Sequence, residues 1–369
     1  MLSRRIVLLA GAVLLVSSAD AVAQADEIKI GIIAPMTGQL ASEGQDLENS
    51  IKLAVSKLNA RGGVLGSTVT TITGDDACDP QQAVAAASKL VSSGVRAIVG
   101  GYCSGAVLPT LKIYGDAGLP FVIVGANSTK LVTGNPGDAF LINSTGDAQA
   151  DTALALFKKK DIKAVTIVDE GDAYSSDLAK LTTIEFQKAG GKVVAAETVA
   201  SGEQDFSSLV SRIRGAKADA VFWTGYHGGG ALLTKQLRQA GYRGTIVLGD
   251  GNNSPEYLKI AGSAAEGVYL LSPPVLEFLP NARAFQQDYM AAYHRNPGAY
   301  AALSFDGTNL LGNAMAQAKS TDPKAVIAAL KTSDFAGLAG TIRFTDKNTL
   351  VGSNFATLQA KGGKWILAE

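Results

Sequence analysis

The stretch "VRAIVGGYCSGAVLPTLKIY", residues 95–114, decides how the rest of the chain is read. Val95–Gly100 is a short β-branched run, the kind that is buried on both faces of a parallel sheet. Gly100-Gly101 breaks the run, and Ala106–Tyr114 has the texture of a helix. Strand, glycine turn and helix make one βα unit, and the same texture recurs on either side of it. Ile28–Ala34, Thr68–Thr73 and Phe121–Val124 read as strands. Asn49–Asn59 sets Ile51, Ala54, Val55 and Leu58 on one helical face, and Pro80–Val91 sets Val84, Ala87, Leu90 and Val91 in phase. Strand, helix, strand in succession predicts right-handed crossovers and a parallel sheet covered on both faces.

The alternation stops at an irregular, Gly/Asn/Asp-rich stretch, Thr133–Asp147, and then restarts. Ala164–Val168, Val193–Thr198, Ala220–Trp223, Thr245–Leu248 and Gly267–Leu271 are strand-like, with Leu178–Lys188, Phe206–Arg214 and Ala231–Gln239 helix-like between them. After Ser272-Pro273-Pro274 the texture turns helical at Ala282–His294, Tyr300–Ala318 and Pro323–Leu330. Strand-like Gly340–Phe344, Phe355–Gln359 and Trp365–Ala368 close the chain. The fold class is therefore α/β, with two doubly wound, Rossmann-like lobes in tandem. Neither lobe accounts for the helical tail. Packing it back on the first lobe takes the chain across more than once, which makes a hinge rather than a tether.

The first residues have a different character. Met1–Arg5 carries two arginines, Ile6–Val16 is almost purely apolar, and Ala23-Gln24-Ala25 follows. A charged start, a short apolar core and an A-x-A site describe a secretory signal peptide over residues 1–25. No cysteine near that site offers a lipid anchor, and Arg4-Arg5 leaves both the general and the twin-arginine export routes open. No later run reaches the roughly 20 apolar residues of a membrane span. The chain holds 33 basic and 33 acidic residues, a balance that points to no nucleic-acid partner. It has only two cysteines. In an oxidising compartment Cys78 and Cys103 are expected to pair, closing a loop worth about 3 kcal/mol in the chain-entropy view. Two free buried thiols are the alternative.

In an open α/β sheet, ligands sit beyond the carboxyl ends of the strands. The turns to inspect are Pro35–Gly44, Asp75–Asp79, Gly100–Gly105, Gly125–Lys130, Asp169–Ser176, Thr224–Gly230 and Gly249–Ser254. They carry small, hydroxyl, amide, carboxylate and tyrosine side chains and almost no lysine or arginine. A catalytic inventory is missing. His227 heads a His-Gly-Gly-Gly string, but no Gly-x-Ser-x-Gly elbow accompanies it, and His294 sits at a helix end. Neither a phosphate-binding Gly-x-x-x-x-Gly-Lys loop nor a metal-ligand spacing occurs, so no cofactor and no metal are expected. Asp75, Asp76 and Asp79 could hold calcium, but two strand-end carboxylates and a helix cap explain them more simply. Ser104 can cap the following helix, and the helix N-terminus can equally cradle a carboxylate.

"DDACDP" at 75–80, Cys-Ser after the strand at 103–104, "GYH" at 225–227 and "DFSSLVSRI" at 205–213 carry a resemblance. From about Ile28 to the C-terminus the chain resembles the leucine/isoleucine/valine-binding type of periplasmic solute-binding protein that serves ABC transporters. The resemblance implies a type I periplasmic binding protein fold with a three-crossover hinge, lobe 1 being 26–145 with 274–351 and lobe 2 being 146–273 with 352–369. It implies a disulfide between Cys78 and Cys103 and a free amino acid held between the lobes. Ser104 would then bind the ligand carboxylate, with Tyr102 and Cys103 lining the same turn. Gly125 would offer its carbonyl to the ammonium, and Asn127 stands where the family has threonine. Tyr174 and Tyr226 would close from lobe 2, Asp250 would receive the ammonium, and Tyr300 would form a wall. Glu43 departs from the family, which commonly has an aromatic there; facing the pocket, it would favour a polar or cationic side chain. Gly125-Ala126-Asn127-Ser128 likewise replaces a Pro-Ala-Ala-Thr pattern.

The expectation is a monomeric periplasmic carrier, not an enzyme, that captures a branched-chain or related amino acid and passes it to an ABC permease. The same fold could instead take an aromatic or aliphatic carboxylate, an amide, or a polar or cationic amino acid. A hydrolase built on Ser104 would need a base that no histidine is placed to supply.

Overall fold

Residues 27–368 are described by a computed structural model; the expected signal peptide lies outside them. Near-continuous burial along Glu27–Ala34 (β1) shows a strand covered on both faces. It is followed by α1 (Ala41–Ala60), β2 (Thr68–Asp75), α2 (Pro80–Ser92), β3 (Ala97–Gly100) and α3 (Ser104–Asp116). Then come β4 (Phe121–Ile123), α4 (Thr129–Thr133) and β5 (Ala139–Leu141). The five strands are parallel in the order β2-β1-β3-β4-β5. One face packs Ile30, Ile32 and Val99 against α1; the other packs Ile33, Ile98 and Ile123 against α2 and α3.

The second lobe repeats the design with α5 (Gly146–Lys159), β6 (Ala164–Asp169), α6 (Ala173–Lys188), β7 (Lys192–Thr198) and α7 (Ser207–Ala216). It continues through β8 (Ala220–Trp223), α8 (His227–Gln239), β9 (Thr245–Leu248), α9 (Pro255–Ala261) and β10 (Tyr269–Ser272). The tail forms α10 (Arg283–Tyr293), α11 (Ala301–Ala318), α12 (Pro323–Lys331) and the short pair β11 (Phe335–Ala336) and β12 (Thr341–Ile342). It ends in the hairpin of β13 (Ala356–Lys361) and β14 (Lys364–Leu367). The second sheet runs β14-β13-β10-β9-β8-β6-β7, with β13 antiparallel to β10.

The tail settles on the first lobe, where Leu303, Leu310, Leu311 and Met315 of α11 join the core beneath α1. The chain thus crosses between lobes three times: between β5 and α5, between β10 and α10, and between β12 and β13. The first and last crossings are stitched together. Leu141 N donates to Asn348 O at 2.9 Å, Asn354 N to Ser144 Oγ at 2.8 Å, and Ser144 Oγ to Asn354 Oδ1 at 2.5 Å. A joined pair of crossings bends as a unit, which is how a hinge differs from two loose linkers.

Three expectations need correction. Thr133–Asp147 is not wholly irregular, since β5 lies inside it; three strand residues framed by turn residues leave no periodicity to read. On α2 the inward face is Ala83, Ala86, Ala87 and Leu90, while Val84 is 38% exposed. Small alanines let α2 lie close to the sheet, where the bulkier valine does not fit. Finally, α1 begins at Ala41 rather than Asn49, bringing Glu43 and Asp46 to the edge of the seam between the lobes.

Candidate functional site

Strand-to-helix turns of the two lobes face one another across that seam. The turn after β3 depends on two glycines. Gly100 and Gly101 have φ of +125° and +80°, and a Cβ on Gly100 would lie 2.2 Å from the Ile33 carbonyl oxygen. Only glycine lets β3 end this close to β1. The chain then presents Tyr102, and Cys103 is bonded to Cys78 with Cα atoms 5.4 Å apart. The nearby acidic cluster is tied largely to backbone, with Asp75 Oδ2 taken by Thr37 Oγ1 and Asp76 Oδ2 without a partner among the described residues. Asp75 Oδ1 accepts from Met36 N and Ala77 N, Asp76 Oδ1 from Cys78 N, and Asp79 Oδ1 caps α2 through Gln81 N and Gln82 N.

Ser104 does not cap α3 with its side chain; it is the first residue of the helix and Cys103 is the cap. Its Oγ accepts from Asn127 N and Ser128 N, both at 3.2 Å, so the α3 N-terminus is clamped to the turn after β4. With both lone pairs used, the hydroxyl proton remains to be donated. The N–H groups of Ser104 and Gly105, in the first turn, have no acceptor within the helix.

Tyr102, Gly125, Asn127, Tyr174, Tyr226, Asp250 and Tyr300 come together around one small cavity, joined by Gly251. In this closed arrangement the free space amounts to about 10 Å³, room for about one water, so a larger guest enters only as the lobes part. Tyr102 stacks edge-on to Tyr300 with ring centroids 5.2 Å apart, and Tyr174 lies 5.4 Å from Tyr226. Burial lifts all four phenols well above their ordinary range, and the nearby Asp250 charge adds to this for Tyr102, Tyr174 and Tyr300. They therefore stay neutral and keep their donor protons.

Asp250 follows β9 and is 2% exposed. Its Oδ2 accepts from Tyr300 OH at 2.9 Å, Asn127 Nδ2 at 3.1 Å and Asn143 Nδ2 at 3.3 Å. Its Oδ1 makes no hydrogen bond among the described residues. Burial pushes the carboxyl up, opposed by the Tyr174 and Tyr300 hydroxyls and the amides of Asn143 and Gln149. Asn127 Oδ1 and Asn143 Oδ1 are also buried without partners among the described residues, and the Gln149 amide, near enough to Asp250 to favour its charged form, reaches no partner at hydrogen-bond geometry there. Buried polar groups are nearly always satisfied, so a knot of orphaned ones around a carboxylate marks a place where a polar guest belongs.

Not every expected residue reaches this cavity. Ser104 is buried behind it, engaged with Asn127 and Ser128. Cys103 is in the disulfide and lines a larger opening beyond Tyr226. Gly125 lends its carbonyl to Asn143 Nδ2 at 2.8 Å, leaving one lone pair. Glu43 faces His227 across the seam. The expectations also omit several residues. Asn143 was hidden by the apparent irregularity around β5, and Gln149 by the uncertain start of α5. Asp177 of α6 accepts from Ser128 Oγ at 2.8 Å and Thr129 N at 2.6 Å across the lobes. Glu170 Oε2 accepts from Tyr226 N at 2.6 Å. The arrangement offers an anionic acceptor from one lobe and a donor-rich helix end from the other. No histidine hydrogen-bonds to Ser104 among the described residues, so nothing there activates it as a nucleophile.

Residues 27–364 match the family described as periplasmic binding protein. The Leu/Ile/Val-binding protein BraC3 of Rhizobium johnstonii is 31% identical over 93% of this chain and 94% of its own length. A leucine binding protein from Thermotoga maritima superposes with a TM-score of 0.86 at 27% identity, covering 93% of this chain and 98% of that one. The branched-chain amino acid transporter substrate binding protein LivJ of Streptococcus pneumoniae, solved with isoleucine, gives 0.84 at 29% identity over 92% and 98%. Match length and two-lobed topology agree, and this chain belongs to the periplasmic binding protein family.

Proposed function

We propose that the protein is a periplasmic, monomeric carrier that captures a free α-amino acid between its lobes and hands it to an ABC permease. Lobe 1 comprises 26–145 with 274–351, and lobe 2 comprises 146–273 with 352–369. The observation that carries the reading is Asp250 Oδ1, a buried carboxylate oxygen without a partner among the described residues. An ammonium supplies its missing donors as a charge-assisted bond. The α3 N-terminus, which adjoins the cavity through Tyr102 and Asn127, takes the carboxylate with the N–H groups of Ser104 and Gly105, without any arginine. Gly125 O and Asn127 Oδ1 add acceptors for the ammonium, and Tyr102, Tyr174, Tyr226 and Tyr300 wall the site. Because the two charged ends are served from different lobes, the ligand favours the closed arrangement. Relatives whose names specify leucine, isoleucine and valine support the substrate class.

Calorimetry with free amino acids, benzoate, aliphatic carboxylates and amides tests this. Binding is expected only for compounds carrying both an ammonium and a carboxylate. Benzoate or an aliphatic acid binding as tightly as any amino acid would overturn it, since Asp250 would then be buried against an anion.

A further inference from the structure

The seam holds a second pair of buried polar groups that a zwitterion's two charged ends do not use. Glu43 lies in the first turn of α1 and His227 begins α8, one on each lobe, and both side chains are 8% exposed. Glu43 Oε1 stands 3.7 Å from His227 Nδ1, too far for a hydrogen bond. Glu43 Oε2 and His227 Nδ1 have no partner among the described residues. The carboxylate has little freedom to withdraw, because α1 is pressed onto the turn after β1: a Cβ on Gly44 would lie 1.9 Å from the Pro35 carbonyl oxygen. Arg295 lines a neighbouring cavity with Glu43 but makes no ion pair with it among the described residues, donating instead to Ser42 Oγ at 3.4 Å.

The surroundings of this pair are acidic. Tyr300 lines both the Asp250 cavity and the neighbouring one that holds Glu43, and Tyr226 lines both the Asp250 cavity and the opening that holds His227. Beyond Tyr226 a larger opening is lined by Glu170, Asp172, His227 and Glu256, with no lysine or arginine in its wall. Burial pushes Glu170 up to about 7, with Asp172 and Asp169 adding to it, and Asp172 Oδ2 also lacks a partner. An aliphatic side chain ending here would leave Glu43 Oε2 buried without a donor, with only His227 at 3.7 Å from the other carboxylate oxygen. A cationic nitrogen would give a donor to Glu43 Oε2, beside the unpartnered His227 Nδ1.

We propose that Glu43 and His227 form the specificity end of the pocket and select an amino acid whose side chain terminates in a cationic nitrogen. The inference rests on the reading that an amino acid occupies the seam, and adds the class. Calorimetry on the full chain with L-ornithine, L-lysine, L-arginine, L-leucine, L-isoleucine and L-alanine tests it, alongside Glu43→Gln. At least one cationic amino acid is expected to bind tenfold or more tightly than leucine. Glu43→Gln is expected to weaken that ligand tenfold or more, with the loss for alanine at least fivefold smaller. Leucine or isoleucine binding more tightly than every cationic amino acid would overturn the class while leaving the amino-acid reading intact. Equal losses for alanine and the cationic ligand would also overturn it, since Glu43 would then act on closure alone. Silence toward all six would sink both readings. If Glu43→Gln does not fold, His227→Gln takes its place with the same expectations.

Discussion

Asp177 and Asp250 are both buried carboxylates of the second lobe that face the first, and they are treated differently. Asp177 has both oxygens served by protein: Oδ2 accepts from Ser128 Oγ, Thr129 N and Thr129 Oγ1, and Oδ1 is within reach of Thr129 Oγ1 at 3.0 Å. Asp250 has three donors crowded on Oδ2, while Oδ1 is without a partner among the described residues. The first is a latch, complete without any guest. The second, in the reading proposed above, is completed by the ligand's ammonium. Closure therefore divides into a part the protein supplies itself and a part the ligand supplies. An apparent affinity reports their sum, because a partly populated closed state scales every ligand's affinity alike.

The comparison breaks most visibly at Asp250. Asp250→Ala is expected to weaken amino-acid binding about 100-fold or more, in line with the roughly 2–5 kcal/mol lost when one partner of a buried charge pair is removed. Titration calorimetry reads this directly, and an unchanged Kd would take Asp250 out of the site. The same carboxylate gives a pH dependence. Burial raises its pKa and a bound ammonium lowers it again. Binding therefore releases a proton, and affinity rises with pH through the raised pKa of the free protein.

The opposing lobe can be loosened next. Cys78 and Cys103, 25 residues apart, tie down the turn that carries Tyr102 and Ser104. Reduction is expected to cost about 3 kcal/mol of stability in the chain-entropy account. Melting with and without a thiol reductant checks it; an unchanged midpoint would mean that the glycine turn holds itself.

The smallest effect belongs to the latch. Asp177→Asn removes the charge from the bonds made by Ser128 and Thr129. Hydrogen bonds to a charged group are worth about 1.5–3 kcal/mol, so a loss near the lower bound weakens every ligand about tenfold and by the same factor. Small-angle scattering should show the ligand-free variant more open than the parent. A loss confined to one ligand class would instead place Asp177 in the pocket.

Legibility in the sequence followed element length and chemistry. Eight residues of β1 and the long amphipathic stretch of α1 carry enough repeats to be recognised, whereas three-residue β5 does not. Tyr102, Tyr174, Tyr226, Asp250 and Tyr300 could be named because each follows a readable strand or resembles a family position. Asn143 and Gln149 lie beyond an unreadable one, and Asp177 sits inside a helix where a polar residue looks like ordinary surface. Ser104 shows a different limit. Its place at a helix start was legible, but its partners, Asn127 N and Ser128 N, lie more than twenty residues away.

The order of apolar runs, glycine turns and helices was enough, from the chain alone, to establish two doubly wound halves, the turns that bear the site and the cysteines available to brace one of them. These are local matters, settled by the periodicity of side chains and the dihedral freedom of glycine. Which polar atoms end up paired was decided only when the two halves met. Whether Asp177 is satisfied and Asp250 and Glu43 are not depends on groups brought within 3 to 4 Å from distant parts of the chain, and no local pattern encodes that distance.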